Sequence, residues 1–171
     1  DFYGQVADVT DASAISGTPQ DYLRKAYDET DPSDRVDAMR TLWNEQSLES
    51  LDRYARLIVT ARAVGRLKPD ASLSGNFGSL IASMMSAGLD VQASEWARIV
   101  GDSSDADSLM AWGLLAVGAP GGVVDWSSSR IESFQNKVGG DNGLKGKFLF
   151  AGMAGLGRLG PADVSAMARS L

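Results

Sequence analysis

The sequence predicts an all-α chain, and three observations carry that prediction. Helix-start signals recur, one long segment has a clear 3.6-residue period, and no stretch alternates like a strand. The starts are Thr18-Pro19-Gln20-Asp21, Asp31-Pro32-Ser33-Asp34 and Gly160-Pro161-Ala162-Asp163. Each sets a capping residue before a proline and an acid two residues after it. Proline gives up no hydrogen bond at the first helical position, and the acid faces the positive end of the helix dipole.

Taken in order, the signals predict helices at about 19–29, 33–45, 48–65, 76–87, 91–100, 105–117, 127–137, 144–157 and 161–170. The segment 48–65 shows the period best. Leu51, Tyr54, Leu57, Ile58, Ala61 and Val64 fall on one arc at 100° per residue, and Arg53, Arg56, Arg62 and Arg66 on the other. Residues 66–75 and 138–143 read as loops. Residues 1–16 read as an extended or poorly ordered lead-in, and 17–171 as a single all-α domain, a size that allows a sizeable core.

LFAGMAGLG, residues 149–157, is helical by its apolar content yet holds three glycines. Each costs roughly 1 kcal/mol against alanine inside a helix. The stretch has three relatives: LIVTARAVG (57–65), LIASMMSAG (80–88) and MAWGLLAVG (110–118). All four start with Leu or Met and end in glycine, at 65, 88, 118 and 157. The fourth place is small (Thr60, Ser83, Gly113, Gly152), and so is the seventh (Ala63, Ser86, Ala116, Gly155). Gly65-Arg66-Leu67 and Gly157-Arg158-Leu159 extend the likeness. A shorter pattern repeats as Asp52–Arg56, Ser94–Arg98 and Ser165–Arg169.

Terminal glycines suit the left-handed turn that ends a helix, and small residues on a helix face let a neighbour approach closely. The sequence therefore predicts helical-hairpin repeats stacked as a short α-solenoid, with a compact non-repeating bundle as the alternative. This pattern resembles the tetratricopeptide-like class of helical repeats in general. Its terminal glycines are unevenly spaced, and the Trp, Tyr and Pro landmarks of that class do not align.

Composition removes several chemistries. The chain has no Cys and no His, which excludes disulfides, thiolate nucleophiles, Cys/His zinc sites and Ser-His triads within it. The net charge is −6, and its acidity is concentrated: residues 1–50 hold eleven acids against four bases. An acidic surface without a dense basic patch repels nucleic acid and anionic lipid. The longest apolar stretch, Met110 to Val124, is interrupted by Pro120-Gly121-Gly122 and is too short to span a bilayer. The chain starts at Asp1 without Met, which together with the absence of Cys leans toward an exported, processed form; an excised piece starts the same way.

Three segments invite a chemical reading. Gly139–Phe148 looks like a phosphate loop, but Asp141 and Phe148 stand where that loop needs Gly and Ser or Thr. Gly101–Ser108 gathers three acids without the order of a calcium loop, and helix capping at Ser104 or Asp105 accounts for it. Glu95 and Glu132 are the helix-borne acids that a carboxylate glycosidase would need, though Glu95 also pairs with Arg98 at i+3. No cofactor or metal is expected.

The leading expectation is a non-catalytic helical-repeat module that binds a protein or peptide partner. Its candidate contact residues are Arg62 and Arg66, on the wet basic side of the third helix, and Trp126, in a loop before a Ser-rich helix start. The alternatives are a carboxylate-dependent enzyme acting on polysaccharide and a structural piece of a larger assembly.

Overall fold

The computed structural model describes residues 11, 13–45 and 49–169; most of the lead-in, residues 46–48 and the last two residues lie outside the described part. The described residues are all-helical. Ten α-helices follow in order: α1 (Pro19–Asp28), α2 (Pro32–Trp43), α3 (Ser50–Val64), α4 (Phe77–Ser86), α5 (Asp90–Ser94), α6 (Ala97–Gly101), α7 (Ala106–Gly118), α8 (Ser128–Lys137), α9 (Leu144–Gly155) and α10 (Pro161–Met167). Short 3-10 turns occupy Ala71–Asn76 and Asp141–Gly143. No helix among the described residues is long and apolar enough to cross a membrane.

All three proline starts behave as helix N-termini. Thr18 accepts from the Asp21 amide and Asp31 from the Ser33 amide, while Gly160 caps α10 without a side chain. The expected helix at 91–100 is two short helices. The chain turns at Glu95-Trp96, which carries the Trp96 indole inward, 1% exposed and edge-on to Phe77 at 5.8 Å.

The chain forms two compact units. The first comprises residues 1–68 and 82–89, the second 69–81 and 90–171. In the first, α1 packs on α2, and both meet α3. Its core holds Leu23, Val36, Met39, Trp43, Val64 and Met84. A buried polar link ties this core together: Trp43 Nε1 donates to Thr60 Oγ1 at 3.0 Å, and Thr60 and Ser83 share a hydroxyl contact at 3.3 Å. Thr60 and Ser83 hold the fourth place in the first two copies of the nine-residue pattern. Arg56 is not part of a wet face, for it pairs with Glu45 and donates to Leu42 O at the end of α2. The predicted apolar arc of α3 is buried only at its C-terminal half. Leu51, Tyr54 and Ile58 are exposed, and among the described residues every position from Ser50 to Ala55 is exposed.

In the second unit, α7 runs through the middle and touches α6, α8 and α9. Trp112, fully buried, donates from Nε1 to Asp125 O at 3.0 Å and stacks at a tilt on Phe134. The helix starts where sequence capping placed it. Asp105 accepts from the amides of Asp107 and Ser108, and its neighbour Asp107 accepts from the Gly78 amide at 2.9 Å. Burial tends to raise the Asp105 carboxyl, but the hydroxyls of Ser103 and Ser108 and the two amides outweigh it and hold the pKa at about 2. Arginines close other helix ends. Arg130 donates to Val100 O, Gly101 O and Ser103 O, and Arg158 to Leu115 O, Ala116 O and Ala119 O. Each fork reaches carbonyls at or just beyond a helix C-terminus, where the intrahelical ladder runs out; Leu115 O also accepts from the Ala119 amide.

The four terminal glycines do not share one conformation. Gly88 and Gly157 are left-handed (φ +72° and +67°). In each case the next amide reaches back over the turn, Leu89 N to Met84 O and Arg158 N to Met153 O. Gly65 is right-handed at φ −61°, with its amide still bonded to Ala61 O. Gly118 is the last helical residue of α7 and has no positive φ. The helix stops one residue later, where Ala119 is extended at ψ 150°. Pro120 disfavours a helical residue before it, so no left-handed glycine is required.

Candidate functional site

The second unit carries the most site-like surface, and α9 builds it. Apart from Lys145 and Lys147, the sequence of α9, LKGKFLFAGMAG, is apolar or glycine all round. A helix of that kind is expected to be buried on every side. Here Leu149 and Met153 face the core, whereas Leu144 is 56% and Phe148 69% exposed. Ala151 and Gly155 are exposed as well. Leu144, Phe148, Ala151 and Gly155 stand at i, i+4, i+7 and i+11, one face of the helix.

This face borders an apolar groove of about 350 Å³. Met110, Leu114 and Val117 of α7 form one wall, and Phe148, Leu149 and Gly152 of α9 the other; Gly113 and Phe134 lie along the groove and Lys145 beside it. Glycine lets α9 approach α7 closely at Gly152, and α8 approach α7 closely at Gly113. A Cβ on Gly152 would stand 3.1 Å from Val117 Cγ1, and one on Gly113 2.7 Å from Phe134 Cε2. Gly155 differs, since a Cβ there would meet nothing within 4 Å. LFAGMAGLG therefore holds one glycine packed within the unit, one facing open space and one turning the chain.

The glycines at the entry to α9 and in its first turn have a packing role. A Cβ on Gly143 or Gly146 would run into the side-chain amide of Gln135, which α8 lays across the loop. Gly143 is left-handed at φ +65° and ends the loop. The α9 N-terminus has no side-chain cap and no acid in its first turn, and its Lys145 and Lys147 add positive charge there.

Trp126 lines a second recess of the same unit, about 430 Å³, with Val124, Met153, Leu156 and Arg158. It is half-buried, so one part of the indole is a wall and the rest is open. Arg62 and Arg66 lie in the first unit and are exposed. The Arg66 guanidinium sits over the Tyr27 ring, 5.6 Å from its centre. The structure thus divides the three sequence candidates between two units. Glu95 and Glu132 are both exposed. Among the described residues no group of three or more Asp or Glu side chains is placed to hold a metal ion.

Leu144, Phe148, Ala151 and Gly155, the exposed face of α9, are not among the residues that the sequence singles out as partner contacts. Their signal in the sequence is the all-round apolar character of 144–155, which does not by itself say which side of the helix is left open. No protein-family model, no curated protein and no solved structure matches this chain.

Proposed function

We propose that the chain is a non-catalytic helical module whose α7–α9 face receives an apolar helix of a partner protein. One observation carries this reading: α9 is apolar all round yet leaves Leu144 and Phe148 more than half exposed beside an apolar groove. The small residues Ala151 and Gly155 favour a helical occupant. They leave at most a methyl group between the α9 backbone and whatever lies against it, which suits a close-packed helix. Lys145 and Lys147 at the N-terminal end of the face favour an occupant with acidic residues at the matching end. The recognition mode is helix-in-groove, with anchors at helical spacing. Stacked helical-hairpin repeats are part of the same proposal, supported by the buried Thr60–Ser83 contact and by the shared groove of Gly113 and Gly152.

A helix-forming probe peptide tests the reading: leucines at i, i+4 and i+7, and two glutamates at one end. Titrated into isotope-labelled protein, it is expected to shift the amide signals of α7 and α9 and to leave α1 and α2 unmoved. Shifts confined to other helices, or none at all, contradict the proposal. Sedimentation equilibrium of the chain alone shows whether a second copy occupies the face instead.

A further inference from the structure

We propose that Arg35, Arg62 and Arg66 form a binding site for a phosphate-type oxyanion on the first unit. The site lies where α1 and α3 end side by side. Tyr27, in the last turn of α1, donates its hydroxyl to Val59 O of α3 at 2.8 Å. Arg35 of α2 bridges the two ends, donating from Nε to Ala26 O at 3.0 Å and from Nη2 to Ala63 O at 2.7 Å. Arg66 stacks over the Tyr27 ring, and Arg62 stands one helical turn before it.

No described carboxylate lies within 4.0 Å of any of these three guanidinium groups. Elsewhere in the same unit Lys25, Arg40 and Arg56 each reach one: Asp21, Asp37 and Glu45. Scarcity of acids does not explain the difference, because residues 1–50 hold eleven acids against four bases. The two helix ends supply some compensation, about half a negative charge each. Against three arginines that leaves a surplus of about two positive charges, which matches the roughly −2 of a phosphate monoester better than the −1 of a carboxylate.

The site is partly preorganised. Two nitrogens of Arg35 are committed to backbone carbonyls, which fixes the plane of its guanidinium and the direction of its remaining edge. Burial first, and the nearby charge of Arg66 second, lower the proton affinity of Arg35, as expected of a cation that lacks a counter-ion. Arg62 and Arg66 are exposed and can close on a ligand from solvent. Arginine forks suit oxygen pairs on phosphate.

The test is a calorimetric titration with inorganic phosphate at constant ionic strength, with chloride as the control anion. Saturable binding is expected, weakened about tenfold or more in the double variant Arg62→Ala/Arg66→Ala. Arg53→Ala, which changes an exposed arginine of the same helix, is expected to bind like the parent. A second arm separates the sources of phosphate: flotation with phosphatidylcholine vesicles, with and without phosphatidic acid. Association only with phosphatidic acid assigns the site to a lipid headgroup, and phosphate binding without flotation assigns it to a soluble phosphate. Should the double variant fail to fold, Arg62→Gln alone decides, and several-fold weaker binding is expected. No saturable phosphate binding, or binding unchanged in the arginine variants, overturns the proposal.

Discussion

Gly113 of α7 lies directly under Phe134 of α8: a methyl group at Gly113 would stand 2.7 Å from Cε2 of the ring. Real Cβ atoms do not approach a neighbour that closely, and Phe134 is itself held against Trp112. Gly113→Leu is therefore expected to cost about 1–3 kcal/mol or more by overpacking. Gly113→Ala is expected to destabilise as well, despite alanine's advantage of about 1 kcal/mol in helix propensity. Gly155→Ala, with nothing within 4 Å, is expected to be neutral or stabilising. Urea melts of the three variants check the contrast.

The turn glycines give a second contrast. Gly157 is left-handed and Gly118 is not. Gly157→Ala is expected to cost about 1 kcal/mol, the price of a Cβ in that conformation. Gly118→Ala is expected to cost nothing measurable. Equal losses at both sites would mean that α7 also ends in a left-handed turn.

Arg158 tests the closing of helix ends. Its guanidinium serves three carbonyls at the end of α7 and lines the recess with Trp126. Arg158→Ala is expected to destabilise by about 1–3 kcal/mol, since it leaves those carbonyls without a charged donor. Arg158→Lys is expected to restore only part of the loss, because an ammonium cannot reproduce the fork. Thermal melts of both variants measure the difference.

Acid sensitivity follows from Asp105. Its folded pKa, about 2, lies below the ordinary 3.8, so the unfolded chain binds the proton more readily between those values. Its contribution is fully present above about pH 4 and is lost as the pH falls through about 2. Asp21 and Asp70 are also lowered, chiefly by the amides of Gly17 and Ser72, and act in the same direction. Asp107 is raised by burial and acts in the opposite direction. Asp105→Asn, which keeps a capping side chain but cannot ionise, is expected to show a shallower loss of stability between pH 4 and pH 2. Denaturant midpoints across that range test it.

Local chemistry made much of the fold legible. Thr18-Pro19 and Asp31-Pro32 are caps that act within four residues, and their helices start where the sequence places them. The period of α3 identifies the helix but not its burial: Leu51 and Tyr54 have the spacing of core residues and are exposed, because burial depends on which helices reach that turn. The break at Glu95-Trp96 was hidden for a similar reason. What draws Trp96 inward is Phe77, nineteen positions away. The candidate face on α9 follows the same rule. Its apolar character is in the sequence, but its exposure appears only when α7 and α8 have taken one side and left the other. Trp126 was legible as a loop aromatic, whereas the link from Arg66 to Tyr27 and Arg35 depends on two helices ending together.

The measurement that tests the central claim most directly is binding of the acidic-ended, leucine-striped helix peptide to Phe148→Glu, followed by fluorescence anisotropy beside a urea melt of the same variant. Phe148 is 69% exposed, so its replacement is expected to leave the urea midpoint close to that of the parent. Peptide binding is expected to fall at least tenfold, because a charge then sits at the centre of the apolar face. Unchanged binding in a stably folded Phe148→Glu would contradict the assignment of α9 as the partner-binding face.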